Sequence, residues 1–239
     1  MKKIYLAGPD VFYPNSIEIG ENHKRICEGN GFVGLYPLDN DIKGPSSDIK
    51  YDIVKANMAS IESSDYIVAN LSNFRGTEEH PSCDSGTAWE CGYGLSKGKK
   101  VIAYTKDINS IPDTIIKSID LVVNGDFVDA ITIAKKTFFK HNQPSTEEIV
   151  GGDIINIDAE HPDIKDISAG SAFMLGYRCG KGMQCTAVIS DGRSEVEKFG
   201  KVDSNGFNVD DFGQCANIMV ECTCNIKKRE MGLGEFDGK

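Results

Sequence analysis

The 239-residue chain predicts a three-layer α/β domain on a parallel sheet of the flavodoxin/Rossmann-like kind, followed by a partial, degenerate second copy. Three observations carry this. Short apolar runs alternate with stretches of helical period through the first 140 residues. Polar turns bearing Gly or Pro fall at the carboxyl ends of those runs, where such sheets bind ligands. A block starting at Gly170 echoes one starting at Gly86, at an offset of 84 residues. The expected organisation is a catalytic domain over 1–140, a linker over 141–150 and the degenerate copy over 151–239.

Ile4 to Ala7 is a short apolar strand, and the turn residues Gly8-Pro9 and Pro14-Asn15 lead into a helix over about 16–29, stopped by Gly29-Asn30-Gly31. Phe32 to Tyr36 gives the second strand, left through Pro37-Leu38-Asp39-Asn40. Ile53, Val54, Ala56, Met58 and Ile61 recur at roughly helical spacing within about 48–63. Asp65 to Leu71 is a buried strand ending in a polar loop. Asp84 then reads as an N-cap, with a helix running through Leu95 to the stop at Lys97-Gly98. Lys100 to Tyr104 is the fourth strand, Leu121 to Asn124 a fifth, and Phe127 to Phe139 a closing helix. His141 to Glu148 has linker composition. In the second copy Ile154 to Ile157 echoes Val68 to Leu71, and Ser168 and Met174 stand where the first copy has Asp84 and Glu90.

A formal charge of -10 argues against a nucleic-acid or anionic-membrane partner, because the short basic runs at Lys97–Lys100 and Lys227–Arg229 read as solvated faces. The apolar run after Met1-Lys2-Lys3 is too short for a signal peptide, and no stretch is long enough to span a bilayer. Eight cysteines without a CxxC pair read as reduced thiols of a cytoplasmic protein, and Cys215, Cys222 and Cys224 as incidental thiols rather than a metal site. Cys83 adjoins the Asp84 block, with no His partner apparent to make it a thiolate nucleophile.

The chemistry hangs on Asp84 and Glu90. A helix starting after Ser85 puts Glu90 in its second turn while Asp84 stays on the incoming loop, so both carboxylates address one ligand. Paired acids on a concave edge suit metal binding, general acid/base catalysis or nucleophilic attack at an anomeric carbon. Residue types alone do not choose among these, although metal binding is disfavoured by the lack of a further ligand cluster, and spacing alone equally allows Glu90 an ordinary surface place.

Four blocks in order over about 100 residues resemble the nucleoside 2-deoxyribosyltransferase family: Lys3-Ile4-Tyr5-Leu6-Ala7-Gly8-Pro9, Pro37-Leu38-Asp39-Asn40, Ser64 to Gly76, and Asp84-Ser85-Gly86-Thr87-Ala88-Trp89-Glu90. The resemblance implies that Glu90 attacks C1′ of a 2′-deoxynucleoside and holds the sugar as a covalent ester, with neither cofactor nor metal. It implies that Tyr5 orients Glu90 and that Asp84 binds sugar hydroxyls and disfavours a 5′-phosphate. It places Asp39, Asn40, Asn57, Asn70, Phe74, Arg75 and Gly86 around the substrate. Asn57 stands where some relatives carry Asp, and an amide cannot protonate a leaving base.

In the second half Ile189 to Arg193, Glu197 to Gly200, Asp203 to Phe207 and Asp211 to Met219 resemble the loop that follows strand four in many members, a loop missing after Tyr104. In homo-oligomeric relatives an Asn of that loop reaches a neighbouring subunit's site. Here the second half is expected to act as a built-in pseudo-subunit whose Asn217 completes the Glu90 pocket, in a chain that also forms homo-oligomers; the alternative has Asn217 capping a local turn. The leading expectation is transfer of 2-deoxyribose between nucleobases. The alternatives are an N-glycosidase acting on (deoxy)nucleosides or their 5′-monophosphates, and a non-catalytic nucleoside-derivative binding protein. The partners implied are small nucleosides and nucleobases.

Overall fold

The computed structural model describes residues 1–40, 42, 48–138, 156–158, 160–161, 164–189 and 192–228. In the first half β1 (Lys2–Ala7), α1 (Ser16–Gly29), β2 (Phe32–Leu35), α2 (Ile49–Ser63), β3 (Tyr66–Asn70), α3 (Ser85–Ser96), β4 (Lys100–Thr105), α4 (Asp113–Ser118), β5 (Leu121–Asn124) and α5 (Phe127–Phe138) follow in order. The five strands pair in parallel in the order β2-β1-β3-β4-β5.

Strand alternation distributes the apolar side chains between two cores. Tyr5, Ala7, Ile67, Ala69, Val101 and Ala103 share one core with residues of α2 and α3, while Ile4, Leu6, Val68, Ile102 and Tyr104 share the other with α1 and α5. That makes three layers, and it explains why the strands read as continuous apolar runs rather than alternating ones. The strand order reverses between β1 and β3, so a crevice opens beyond their carboxyl ends, at Gly8 and Asn70. Asp65, expected inside the third strand, lies just before it and ties β1 down, accepting from the Lys3 N–H at 2.8 Å and the Lys2 ammonium at 2.6 Å. The six-residue α4 lies in the connection between β4 and β5.

The second half contains β6 (Asn156–Asp158), β7 (Glu160–His161), β8 (Ile164–Ile167), α6 (Ala169–Gly180), β9 (Thr186–Ile189), α7 (Glu195–Phe199), α8 (Ile218–Thr223) and β10 (Asn225–Lys228). A small parallel sheet runs β10-β9-β6, and β7 and β8 form an antiparallel pair. The expected linker over 141–150, together with Ile154 and Ile155, falls outside the described residues.

Helix α6 begins and ends 84 residues after α3. The caps match as well: the Asp84 side chain accepts from the Thr87 N–H, and Ser168 accepts from Ser171. The two helices pack face to face. A side chain at Gly92 would collide with the Phe173 carbonyl, and one at Gly176 with the Trp89 carbonyl. Residues 89 and 92 contact 176 and 173 reciprocally, the pattern of a local two-fold axis between the helices. One apolar cluster runs through both halves, from Tyr5 and Trp89 to Phe173, Ala187 and Met219.

Candidate active site

Beyond β1 and β3 lies a cavity of about 210 Å³. Its wall includes Gly8, Val11 and Phe12 after β1, Pro37 and Leu38 after β2, and Ile53 and Asn57 of α2. The start of α3 adds Asp84, Gly86, Thr87 and Glu90, and the stretch leading into α8 adds Asp210, Phe212, Asn217, Ile218 and Met219. One rim is therefore apolar and another acidic.

Asp84 is held at the helix entrance because its Oδ2 accepts from both the N–H and the hydroxyl of Thr87, each at 2.7 Å. Glu90, one turn further in, is 6% exposed. The Tyr5 hydroxyl donates to its Oε1 at 2.6 Å, from a strand position whose side chain points towards α3. Burial pushes the Glu90 carboxyl up to about 8; the Tyr5 hydrogen bond opposes that rise and the Asp84 charge adds to it. Tyr5 is itself pushed well up by burial and by the Glu90 charge, so it remains a donor. Burial likewise raises the Cys83 and Cys91 thiols, which keeps these two protonated beside Asp84 and Glu90.

Asn217 reaches the cavity from the second half of the same chain. Its Oδ1 caps α8 by accepting from the Met219 N–H at 3.0 Å, and its amide sits over Gly86, where a Cβ would lie 2.6 Å from Nδ2. Capping and cavity lining thus coexist. Gly86, expected at the substrate, leaves the room that lets Asn217 approach. Asn57 is buried on the wall, accepting from the Asn40 amide at 3.2 Å.

Five residues expected around the substrate lie behind the wall rather than on it, Asn40 among them as the donor to Asn57. Asp39 pairs with Lys24 at 2.7 Å. Asn70 donates to the Asp10 carboxylate at 3.3 Å and braces the Ser72 N–H. Phe74 stacks on Phe12 at 5.4 Å between ring centres. The buried Arg75, at φ 58°, pairs with Asp203 at 2.9 Å, donates to the Asn208 carbonyl at 3.2 Å and lies over the rings of Phe12, Phe74 and Phe199. It locks the loop after β3 to the second half. Sequence reasoning missed Asp210, whose carboxyl is raised to about 6 by burial, against the pull of Arg75 and with a push from Asp84. It sits one residue before the Asp211-Phe212-Gly213 block, so the signal lay next to a motif already noticed.

Among the described residues no group of three or more His, Cys, Asp or Glu side chains is arranged to hold a metal ion, and no helix is long and apolar enough to cross a membrane. The arrangement suits covalent chemistry at an electrophilic carbon: a buried carboxylate oriented by a phenol, open to a half-apolar cavity that also presents hydrogen-bonding groups.

An uncharacterised protein of Schizosaccharomyces pombe is 31% identical over 116 residues, covering 47% of this chain and 54% of that protein. The chain thus spans about half the length of the curated relative it matches. Among solved structures, a 2-desoxiribosyltransferase from Leishmania mexicana is similar at 36% identity and a TM-score of 0.38, covering 45% of this chain and 66% of that one. A 2-deoxyribosyltransferase from Bacillus psychrosaccharolyticus is similar at 22% identity and a TM-score of 0.44, covering 53% and 88%. The model of the nucleoside 2-deoxyribosyltransferase family matches residues 4–128, more than half of the chain and the whole of the stretch carrying Tyr5, Asp84 and Glu90, and the protein therefore belongs to that family.

Proposed function

We propose that the protein transfers 2-deoxyribose between nucleobases through an ester on Glu90. The observation that carries this reading is the hydrogen bond from Tyr5 to a buried Glu90 in a cavity shared with Asp84 and Asn217. The Glu90 carboxylate attacks C1′ on the face opposite the base. The C1′–N bond breaks and its electron pair leaves with the base, which takes a proton from water, since Asn57 carries no acidic proton. An acceptor base nitrogen then attacks C1′, frees the carboxylate and releases its own proton to solvent, so two inversions give net retention. A burial that costs the charged carboxylate free energy in the empty cavity favours it once positive charge develops at C1′.

The apolar rim suits a flat base, and Asp84 and Asn217 suit the sugar hydroxyls. In this reading the second half serves as a built-in pseudo-subunit: Asn217 comes from the same chain, and Met174 occupies the α6 position that corresponds to Glu90. Turnover belongs in the cytoplasm, in salvage of deoxyribonucleosides.

The test is incubation with 2′-deoxyadenosine or thymidine, with and without cytosine, following all nucleosides and bases by chromatography beside Glu90→Ala. New nucleoside formed only with acceptor and lost in the variant is the expected result. Base released equally without acceptor would make the protein a hydrolase, and no turnover of any nucleoside or 5′-monophosphate would make it a binding protein.

A further inference from the structure

We propose that Cys185 and Cys224 form an oxidation site: a peroxide converts the pair to a disulfide that ties β9 to the end of α8, and a dithiol reverses it. The two residues are neighbours across the small parallel sheet. Asn225 of β10 is in register with Thr186 of β9, and its N–H donates to the Cys185 carbonyl at 2.8 Å. Cys224 ends α8 by donating its N–H to the Val220 carbonyl at 2.9 Å, and it therefore lies opposite Cys185 with its side chain on the same face. Paired strands run about 4.8 Å apart, inside the roughly 4.4–6.8 Å between Cα atoms that a disulfide needs. The two thiols already touch, the Cys224 S–H donating to the Cys185 sulfur.

The surroundings give the two sulfurs different roles. Cys185 alone among the eight cysteines is held below the ordinary thiol range, first by the Cys224 S–H and then, against burial, by the charge and hydrogen bond of Arg178 on α6. Every other cysteine is raised. Thiolate character therefore concentrates at Cys185, and the thiolate is the form that attacks a peroxide. Cys185 is nearly covered, whereas Cys224 and the adjacent Cys179 of α6 are half-buried, which leaves a path for a molecule as small as hydrogen peroxide. The Cys185 sulfur attacks one peroxide oxygen, the O–O bond breaks, and the departing hydroxide takes up a proton as water. The Cys224 sulfur then attacks the sulfenic acid on Cys185; the S–S bond forms, the S–O bond breaks, and hydroxide leaves with the Cys224 proton as water. The two thiols lose two electrons and two protons, and one peroxide becomes two waters. The new bond closes a loop that holds α7, Asp210 and Asn217, so oxidation pins the segment that forms one side of the cavity. Reversible bridges of this kind are how a reducing compartment uses disulfides as sensors.

The test treats the reduced, full-length protein with equimolar hydrogen peroxide near neutral pH, blocks remaining thiols by alkylation, and maps the peptides by mass spectrometry. The expected result is a loss of two hydrogens in a peptide pair joining Cys185 to Cys224, restored by dithiothreitol, with Cys185 oxidised about tenfold or more faster than any other cysteine. In Cys224→Ser the reaction should stop at a sulfenic acid on Cys185, trapped by dimedone, and Cys185→Ser should form neither product. The oxidised wild type should melt about 5 °C or more higher than the reduced form, and hydrogen exchange over residues 195–223 should slow. A bridge to Cys179 or any other cysteine, no bridge at all, or a sulfenic acid first seen elsewhere than Cys185 would overturn the proposal. So would a Cys185–Cys224 bridge that leaves melting and exchange unchanged. The wild-type map carries the decision should a variant fail to fold, and no readout uses turnover, so the site stands or falls apart from the proposed reaction.

Discussion

Replacing Glu90 with Gln should destroy activity and stabilise the fold, increasingly so as pH rises. Gln keeps the shape and an oxygen able to accept from Tyr5 but removes the buried charge. The folded-state carboxyl sits at about 8 against an ordinary 4.5, so between those values the native state holds a proton that the unfolded state has released. Stability then falls as pH climbs through that window, and the penalty is complete above about 8. At ~1.36 kcal/mol per pH unit the ceiling is roughly 5 kcal/mol, reduced by any water that enters the cavity. A gain of about 3 kcal/mol would raise Tm by roughly 6–12 °C in a chain of this size. The assay is Tm and urea midpoint of both proteins at pH 5, 7 and 9. The curves should nearly meet at pH 5 and separate by pH 9, with Gln the more stable. If Gln is the less stable at pH 9, the Glu90 charge is stabilised in the native state and the dry-pocket argument fails.

Tyr5→Phe removes a hydrogen bond to a charged group, worth ~1.5–3 kcal/mol; the acid limb of kcat/KM should move up by about one to two pH units and kcat fall about tenfold or more, read from pH–rate profiles. Arg75→Ala leaves the buried Asp203 carboxylate unpaired and should cost about 3–5 kcal/mol in urea unfolding. Asn217→Ala should raise KM or lower kcat while costing only about 1 kcal/mol for the lost cap; wild-type kinetics would remove Asn217 from the site. Gly176→Ala improves intrinsic helix propensity yet should destabilise by more than about 1 kcal/mol, because the new methyl meets the Trp89 carbonyl, and a neutral or stabilising result in thermal melts would show that α3 and α6 are not in close contact.

What could be read from sequence was whatever a local period or a cap encodes. The runs at Ile4, Val68 and Ile102 announced buried parallel strands, and Asp84 announced the helix entrance that the structure places beside Glu90. Side-chain direction past a strand end is not encoded that way. Asp39 leaves β2 beside two wall residues, Pro37 and Leu38, yet turns to Lys24 on α1. Arg75 looked like a ligand-facing cation and instead clamps Asp203, 128 positions later. Asp210 joins the wall through a contact across more than a hundred residues, which no window along the chain reveals.

The burial of α3 ties the second half to the candidate site. Every residue from Ser85 to Leu95 is buried, and a helix covered all round needs a partner on each side. The sheet supplies one through Tyr5, Ile67 and Val101, and α6 supplies the other through its glycine-lined contact with Trp89 and Gly92. Burial raises the Glu90 carboxyl, so the helix packing that stabilises the fold also sets the electrostatics of that side chain. The segment that covers α3 also continues through β9 to Asp210 and Asn217 on the cavity wall. Packing of the two halves and the shape of the site are therefore coupled: a change that loosens α6 from α3 should wet Glu90 and displace the acidic rim together, with an effect on activity that exceeds its effect on stability.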